Sequence, residues 1–149
     1  EQGLLDKPVI YISYFLKKNQ IEYYDRISEV RRSGNYEQWV TFFLEAVSAA
    51  ASDSLITIET LSELHEKNLE ILPKTTRKKD NVRALFDYIE QYPIIDIRKT
   101  ANALELSYNT VANAVKKLVE VGILKETTNA SRNRVFAYED YLEILRKDT

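Results

Sequence analysis

The chain has 149 residues, 44% of them hydrophobic and 30% charged, and a net charge of −2. That is enough apolar matter for one ordinary domain or two small ones, and it excludes a chain-wide pull on nucleic acid, so any such contact must be local. Cysteine is absent, which excludes a disulfide framework and a thiolate metal site.

No apolar run approaches the roughly 20 residues that span a bilayer, and no secretory signal opens the chain. A cytoplasmic protein with no membrane contact is expected. Methionine is absent even at position 1, which reads as a trimmed product or a piece of something longer. The three glycines, Gly3, Gly34 and Gly122, sit where helices would begin or end. A backbone cradle for phosphate needs glycine where the chain turns back, so no nucleotide-phosphate loop is expected.

In chain order the first half is helical by period. Pro8 suits a first helical turn, where its missing N–H is no loss, and Val9, Ile12, Phe15 and Leu16 recur at helical spacing. "KKNQ" breaks that stripe. Ile21, Tyr24, Ile27 and Val30 start a second, which Gly34 closes. Asn35 caps a third helix holding Trp39, Phe42, Phe43, Ala46 and Val47, and "SAAAS" admits a closely packed neighbour. Leu55, Ile58, Leu61 and Leu64 carry the stripe toward Leu72, where Pro73 stops it. "PKTTRKKD" reads as a polar, basic linker and places a boundary between residues 1–77 and 78–149.

Beyond it, Val82, Leu85, Phe86 and Ile89 form a helix ended by "YP". Asp96 caps a short helix with Ile97, Ala101 and Leu104 inward. Ser107 caps a third that stops at Gly122, with Val111, Val115, Leu118 and Val119 toward the core. "ILKETT" and "RVFAYE" read as two short strands around "NASRN", and "EDYLEIL" closes the chain as a helix.

Three helices followed by a two-stranded ribbon is the winged helix–turn–helix order, with "ELS" as the turn. Residues 1–77 hold 9 Lys/Arg against 12 Asp/Glu, net −3, and residues 78–149 hold 12 against 11, net +1. Within 96–134 the count is 7 against 4, net +3, so positive charge gathers on the segment able to touch DNA. The DNA-binding candidates are Ser107 as cap, Asn109, Thr110 and Asn113 toward base edges, and Lys117, Arg132 and Arg134 toward phosphates. Winged helices also dock proteins and dimerise, and Glu105 and Glu120 flank the helix, so DNA, target and homodimer contacts stay open.

The block "GLLDKPVIYISYFLKKNQIEYYDRISEVRRSGNYEQWVTFFLEAV", Gly3 to Val47, resembles the stretch that follows the catalytic motif in Fic proteins. The matching positions include Lys7–Pro8, Tyr11, Ser13, Asn19, Tyr23–Tyr24, Val30–Arg31, Gly34, Glu37, Trp39 and Phe42–Phe43–Leu44. Tyr36 departs mildly, standing where tryptophan is common, as do Phe15–Leu16 in place of an aromatic pair and Gln20 in place of arginine. The tail "RNRVFAYEDYLEIL" looks like the end of the winged extension that many bacterial Fic proteins carry.

The resemblance implies a mainly α fold: the helical C-terminal part of a Fic domain, then a winged helix–turn–helix with a two-stranded wing. It implies a parent protein adenylyltransferase that moves AMP from ATP, with Mg, onto a hydroxyl of a protein target. The family's "HPF..GNGR" motif has no match here, so no catalytic residue, metal ligand or cofactor is expected in this chain, which should be inactive alone. Asn19, Tyr23 and Tyr24 stand at "NR..YY" positions that can lie near the adenine side of the nucleotide site, and they are the nucleotide-pocket candidates. Packing between helices is the competing reading of these tyrosines and of Trp39. His65, the only histidine, lacks ligand spacing and reads as a surface residue. Glu139–Asp140 suit the start of the last helix. A transcription regulator with a helical dimerisation half is the rival reading of the whole chain.

Overall fold

A computed structural model describes residues 11–72, 80–128 and 134–146. Within them the fold is mainly helical, with one small three-stranded antiparallel sheet. Pro8, Val9, the residues from Pro73 through Lys79, and residues 129–133 with Arg132 among them lie outside the described residues.

The chain divides into two compact units that part between Thr60 and Leu61. That is upstream of the polar linker expected to mark the boundary. The reason is the last turns of the third helix, where Leu64 is buried in the second unit's core and Leu69 and Leu72 pack against it.

The first unit holds α1 (Ile12–Lys18), α2 (Gln20–Ser33) and the first part of α3 (Glu37–Ile71). One residue, Asn19, separates α1 from α2; its backbone N–H and its side-chain Nδ2 both donate to the Phe15 carbonyl, at 3.0 and 2.9 Å. Gly34 ends α2 with φ +72, a left-handed conformation that glycine adopts without strain. Asn35 Oδ1 then accepts from the Glu37 N–H at 3.1 Å, satisfying a donor at the start of α3. The helices meet through rings: Trp39 lies 5.4 Å from Tyr23 and 5.8 Å from Phe42, and Phe42 lies 6.2 Å from Phe15.

Phe42, Ala46 and Ala50 are buried; of the small-residue run 48–52 only Ala50 is, with Ser48 and Ser52 exposed. The second stripe agrees with expectation only in its second half. Ile27 and Val30 are half-buried with Tyr23, whereas Ile21 is 81% exposed and Tyr24 57% exposed. Leu55 and Ile58 are exposed as well. By length and composition α3 is apolar enough to cross a membrane, with a mean hydropathy of 1.3 in its most apolar window. A sequence search for uninterrupted apolar runs passes over it because Glu45 and Asp53 break the run.

The second unit holds α4 (Asn81–Ile89), β1 (Ile94–Asp96), α5 (Ile97–Ala103), α6 (Tyr108–Glu120), β2 (Lys125–Glu126), β3 (Val135–Ala137) and α7 (Glu139–Arg146). Asp80 caps α4, its carboxylate accepting from the Val82 and Arg83 N–H groups, each at 3.1 Å. Asp96 caps α5 as expected, accepting from the Lys99 N–H at 2.8 Å. The core is Leu85, Phe86 and Ile89 of α4 with Val111, Val115 and Leu118 of α6, closed by Leu124 and Phe136.

The expected two-stranded ribbon is a three-stranded sheet in the order β1-β3-β2. Ile95 stands opposite Phe136 on one side of β3, and Glu126 stands opposite Phe136 on the other. The extra strand is three residues long, too short to show a period, and it follows Pro93, whose carbonyl accepts from the Tyr138 N–H at 2.8 Å. Glu139 and Asp140 occupy the first turn of α7 as expected, where negative charge complements the helix dipole.

Candidate functional site

Helix α6 is aimed by a tight turn. Leu106 N–H donates to the Ala101 carbonyl at 2.9 Å and Glu105 N–H to the Asn102 carbonyl at 3.3 Å, closing α5. Glu105 takes φ 53, the only non-glycine positive φ among the described residues. Ser107 then starts α6, its Oγ accepting from the Thr110 N–H at 3.1 Å and lying 2.8 Å from Thr110 Oγ1. Both hydroxyls are thus engaged with each other and with the helix start, so Ser107 and Thr110 position α6 rather than project from it.

The core side of α6 is Val111, Ala114, Val115 and Leu118. Val119, expected inward, is 38% exposed; Ala114 takes the place in the core, since it lies between Val111 and Leu118 on one helical face while Val119 is rotated off it. The opposite ridge is Asn109, Asn113, Lys116 and Glu120, all exposed and spaced four, three and four residues apart. Lys117 flanks it, also exposed.

Several cations of this surface are already partnered. Lys116 lies 3.8 Å from Glu120 along the helix, and Lys99 3.6 Å from Asp96. Arg134, expected to face phosphates, is held in a two-point pair by Glu126 across β2 and β3, with Nε donating to Oε1 at 2.7 Å. Its guanidinium also lies over the Phe136 ring, 5.1 Å from the centroid. The hydrogen bond to Arg134 holds the Glu126 carboxyl below its ordinary range, and the same bond raises Arg134. Arg132 lies outside the described residues.

The nucleotide-pocket candidates are less concentrated. Asn19 borders an open groove of about 770 Å³, also lined by Lys17, Lys18, Glu22, Asp25 and Arg26. Its side-chain amide is engaged with the Phe15 carbonyl, and Arg26 is paired with Glu22 at 2.9 Å. Tyr23 and Tyr24 do not line that groove. Tyr23 sits edge-on between Tyr24 and Trp39, 5.3 and 5.4 Å away, so its position is a packing one.

His65 is not a free surface histidine. It is 29% exposed, with Nδ1 2.7 Å from Glu90 Oε1 and its ring 5.5 Å from Phe86. One turn on, Asn68 Nδ2 donates to the Tyr138 hydroxyl, both residues being buried. Burial pushes the Tyr138 phenol up to about 12. Sequence alone gave no sign of this polar pair, because 70 residues separate its members.

No protein-family model matches the chain.

Proposed function

We propose that the chain is the C-terminal portion of a Fic-type protein adenylyltransferase carrying an accessory winged helix–turn–helix. The observation that carries the first part is the Gly3–Val47 pattern, which sets aromatic, glycine and proline positions jointly. Its support in the fold is that Tyr23, Trp39, Phe42 and Phe43 of that pattern form one chain of ring contacts. Such a set of aromatic positions suits a place where rings lock helices together. The winged-helix part rests on the order α4, β1, α5, α6, β2, β3 and on the short turn between α5 and α6.

In this reading the chain supplies scaffold and an accessory surface, and the AMP transfer belongs to the cytoplasmic parent. The residues here do not by themselves fit ATP phosphates or Mg. The groove beside Asn19 is lined by as many carboxylates as cations, three of each, and glycine stands only at Gly3, Gly34 and Gly122. The parent therefore brings the histidine-led loop, ATP, Mg and the protein target together elsewhere.

The test is the coding sequence immediately before Glu1, with an AMP-transfer assay on the encoded protein. A run like "HPF..GNGR" and labelling of protein from radioactive ATP by the longer product, with none by this chain alone, is the expected outcome. A different upstream segment, or transfer by the chain alone, would refute the reading. The rival regulator reading shares the second unit, and its specific support is the polar ridge on α6.

A further inference from the structure

The outward ridge of α6 begins with two amides, Asn109 and Asn113, at a spacing of one helical turn. Neither carries a charge, and both stand in the N-terminal half of a helix whose opposite face is buried in the core. An asparagine side chain offers a donor and an acceptor together, the pattern that matches N6 and N7 of adenine in the major groove. A 13-residue helix spans about 20 Å, and a groove about 12 Å wide admits it. A protein-docking face concentrates aromatic and aliphatic anchors; on α6 the exposed large apolar residues, Tyr108 and Val119, lie off the ridge at opposite ends of the helix.

Cations stand beside this ridge, with the exposed carboxylates of Glu105 and Glu120 among them. Lys117 on α6 and Arg98 on α5 are exposed cations, placed on the two helices that cross backbone and groove in this motif. Glu126 occupies Arg134 with both carboxylate oxygens, and Glu120 stands against Lys116.

We propose that α6 seats in the major groove of duplex DNA with Asn109 and Asn113 against adenine, and that Glu126 and Glu120 restrain cations able to clamp the phosphates. The proposal rests on the winged-helix reading of the second unit. It does not depend on the Fic reading of the first. Its consequence is an unusual sign: neutralising a carboxylate in the wing strengthens binding by releasing Arg134.

The experiment is fluorescence anisotropy of the full chain against fluorescein-labelled duplexes of mixed sequence, about 20 base pairs long, at about 50 and 200 mM salt. Binding that weakens steeply with salt is expected. Lys117→Ala weakens it several-fold on every duplex, since a phosphate contact carries no sequence information. Glu126→Gln tightens it about three- to tenfold and steepens the salt slope by about 0.9, the value for one more phosphate neutralised. Replacing adenine by 7-deazaadenine, which lacks the N7 acceptor, weakens binding roughly tenfold, and Asn109→Ala with Asn113→Ala removes that difference.

Circular dichroism confirms that each variant is folded. No salt-dependent binding by the folded chain overturns the proposal. Equal affinity for the two adenine analogues overturns the role of the asparagines, and unchanged affinity in Glu126→Gln overturns the restraint. Nuclear Overhauser contacts between Ile95 and Phe136 and between Glu126 and Phe136 separate the failures. Their absence removes the winged-helix reading, and their presence without DNA binding removes only the DNA proposal.

Discussion

Replacing Tyr138 by phenylalanine tests whether the end of α3 belongs to the second unit's core. The ring keeps its neighbours, Tyr141 at 5.3 Å and Phe86 at 6.4 Å, so little packing is lost. The hydroxyl is removed, and Asn68, 5% exposed, is left with an unpaired buried amide. Such a group costs about 1–3 kcal/mol. Asn68→Leu strands the Tyr138 hydroxyl in the same way. The double variant leaves neither polar group behind, so its cost falls below the sum of the singles by about 1–2 kcal/mol.

Amide exchange at Leu85 and Leu118 gives the measurement, since both are fully buried and report global opening of this unit. Protection in Tyr138→Phe is expected to drop by roughly five- to 150-fold. Alkaline pH adds an independent arm. The phenol is pushed up to about 12 by burial, so between its ordinary value of about 10 and that value the folded state holds a proton that the unfolded chain has released. Stability is therefore intact below about pH 10 and falls as pH rises toward 12, by about 2–3 kcal/mol in all. Burial raises Tyr141 too, so Tyr138→Phe reduces this alkaline loss without abolishing it. Additive single costs, or an alkaline limb unchanged in Tyr138→Phe, would refute the reasoning.

Two further outcomes follow from α6 and the turn before it. Leu118→Ala opens a void at a fully buried site and should cost about 2–5 kcal/mol, whereas Val119→Ala, one residue on but exposed, should change stability by less than about 0.5 kcal/mol; thermal unfolding of both settles which face is the core. Glu105→Gly removes a side chain from a left-handed backbone and should raise stability by up to about 1 kcal/mol, read as a higher midpoint in urea.

The helices of the second unit were readable because their signals are local. Asp96 and Ser107 lie one position before their helices, and the side-chain bonds they make close within three residues. Gly122, at φ +82, stands just past the end of α6, as the left-handed stop requires. β1 was not readable, because three residues cannot display an alternation, and its existence depends on β3 some forty residues away. The stripe over Ile21 and Tyr24 failed for a related reason: period locates a candidate face, but the partner decides which face is buried. In the first unit that partner is the ring cluster around Trp39, which draws Tyr23 inward and leaves Tyr24 outside.

On the α6 surface, placement was legible and pairing was not. Residue types and spacing put Asn109, Asn113 and Lys117 on an outward side, and they are exposed there. A count of charges over 96–134 treated each cation as available, yet availability is a property of pairs. Glu126 and Arg134 are eight residues apart in sequence and become neighbours only because β2 and β3 pair in one particular register. A one-residue slip would turn one of them to the other face and release the arginine. Both side chains remain partly exposed, so the pair contributes little stability and a phosphate can compete for Arg134. The electrostatic strength of this face is therefore set by strand register rather than by composition, and a net charge read from the sequence overstates what the folded surface presents.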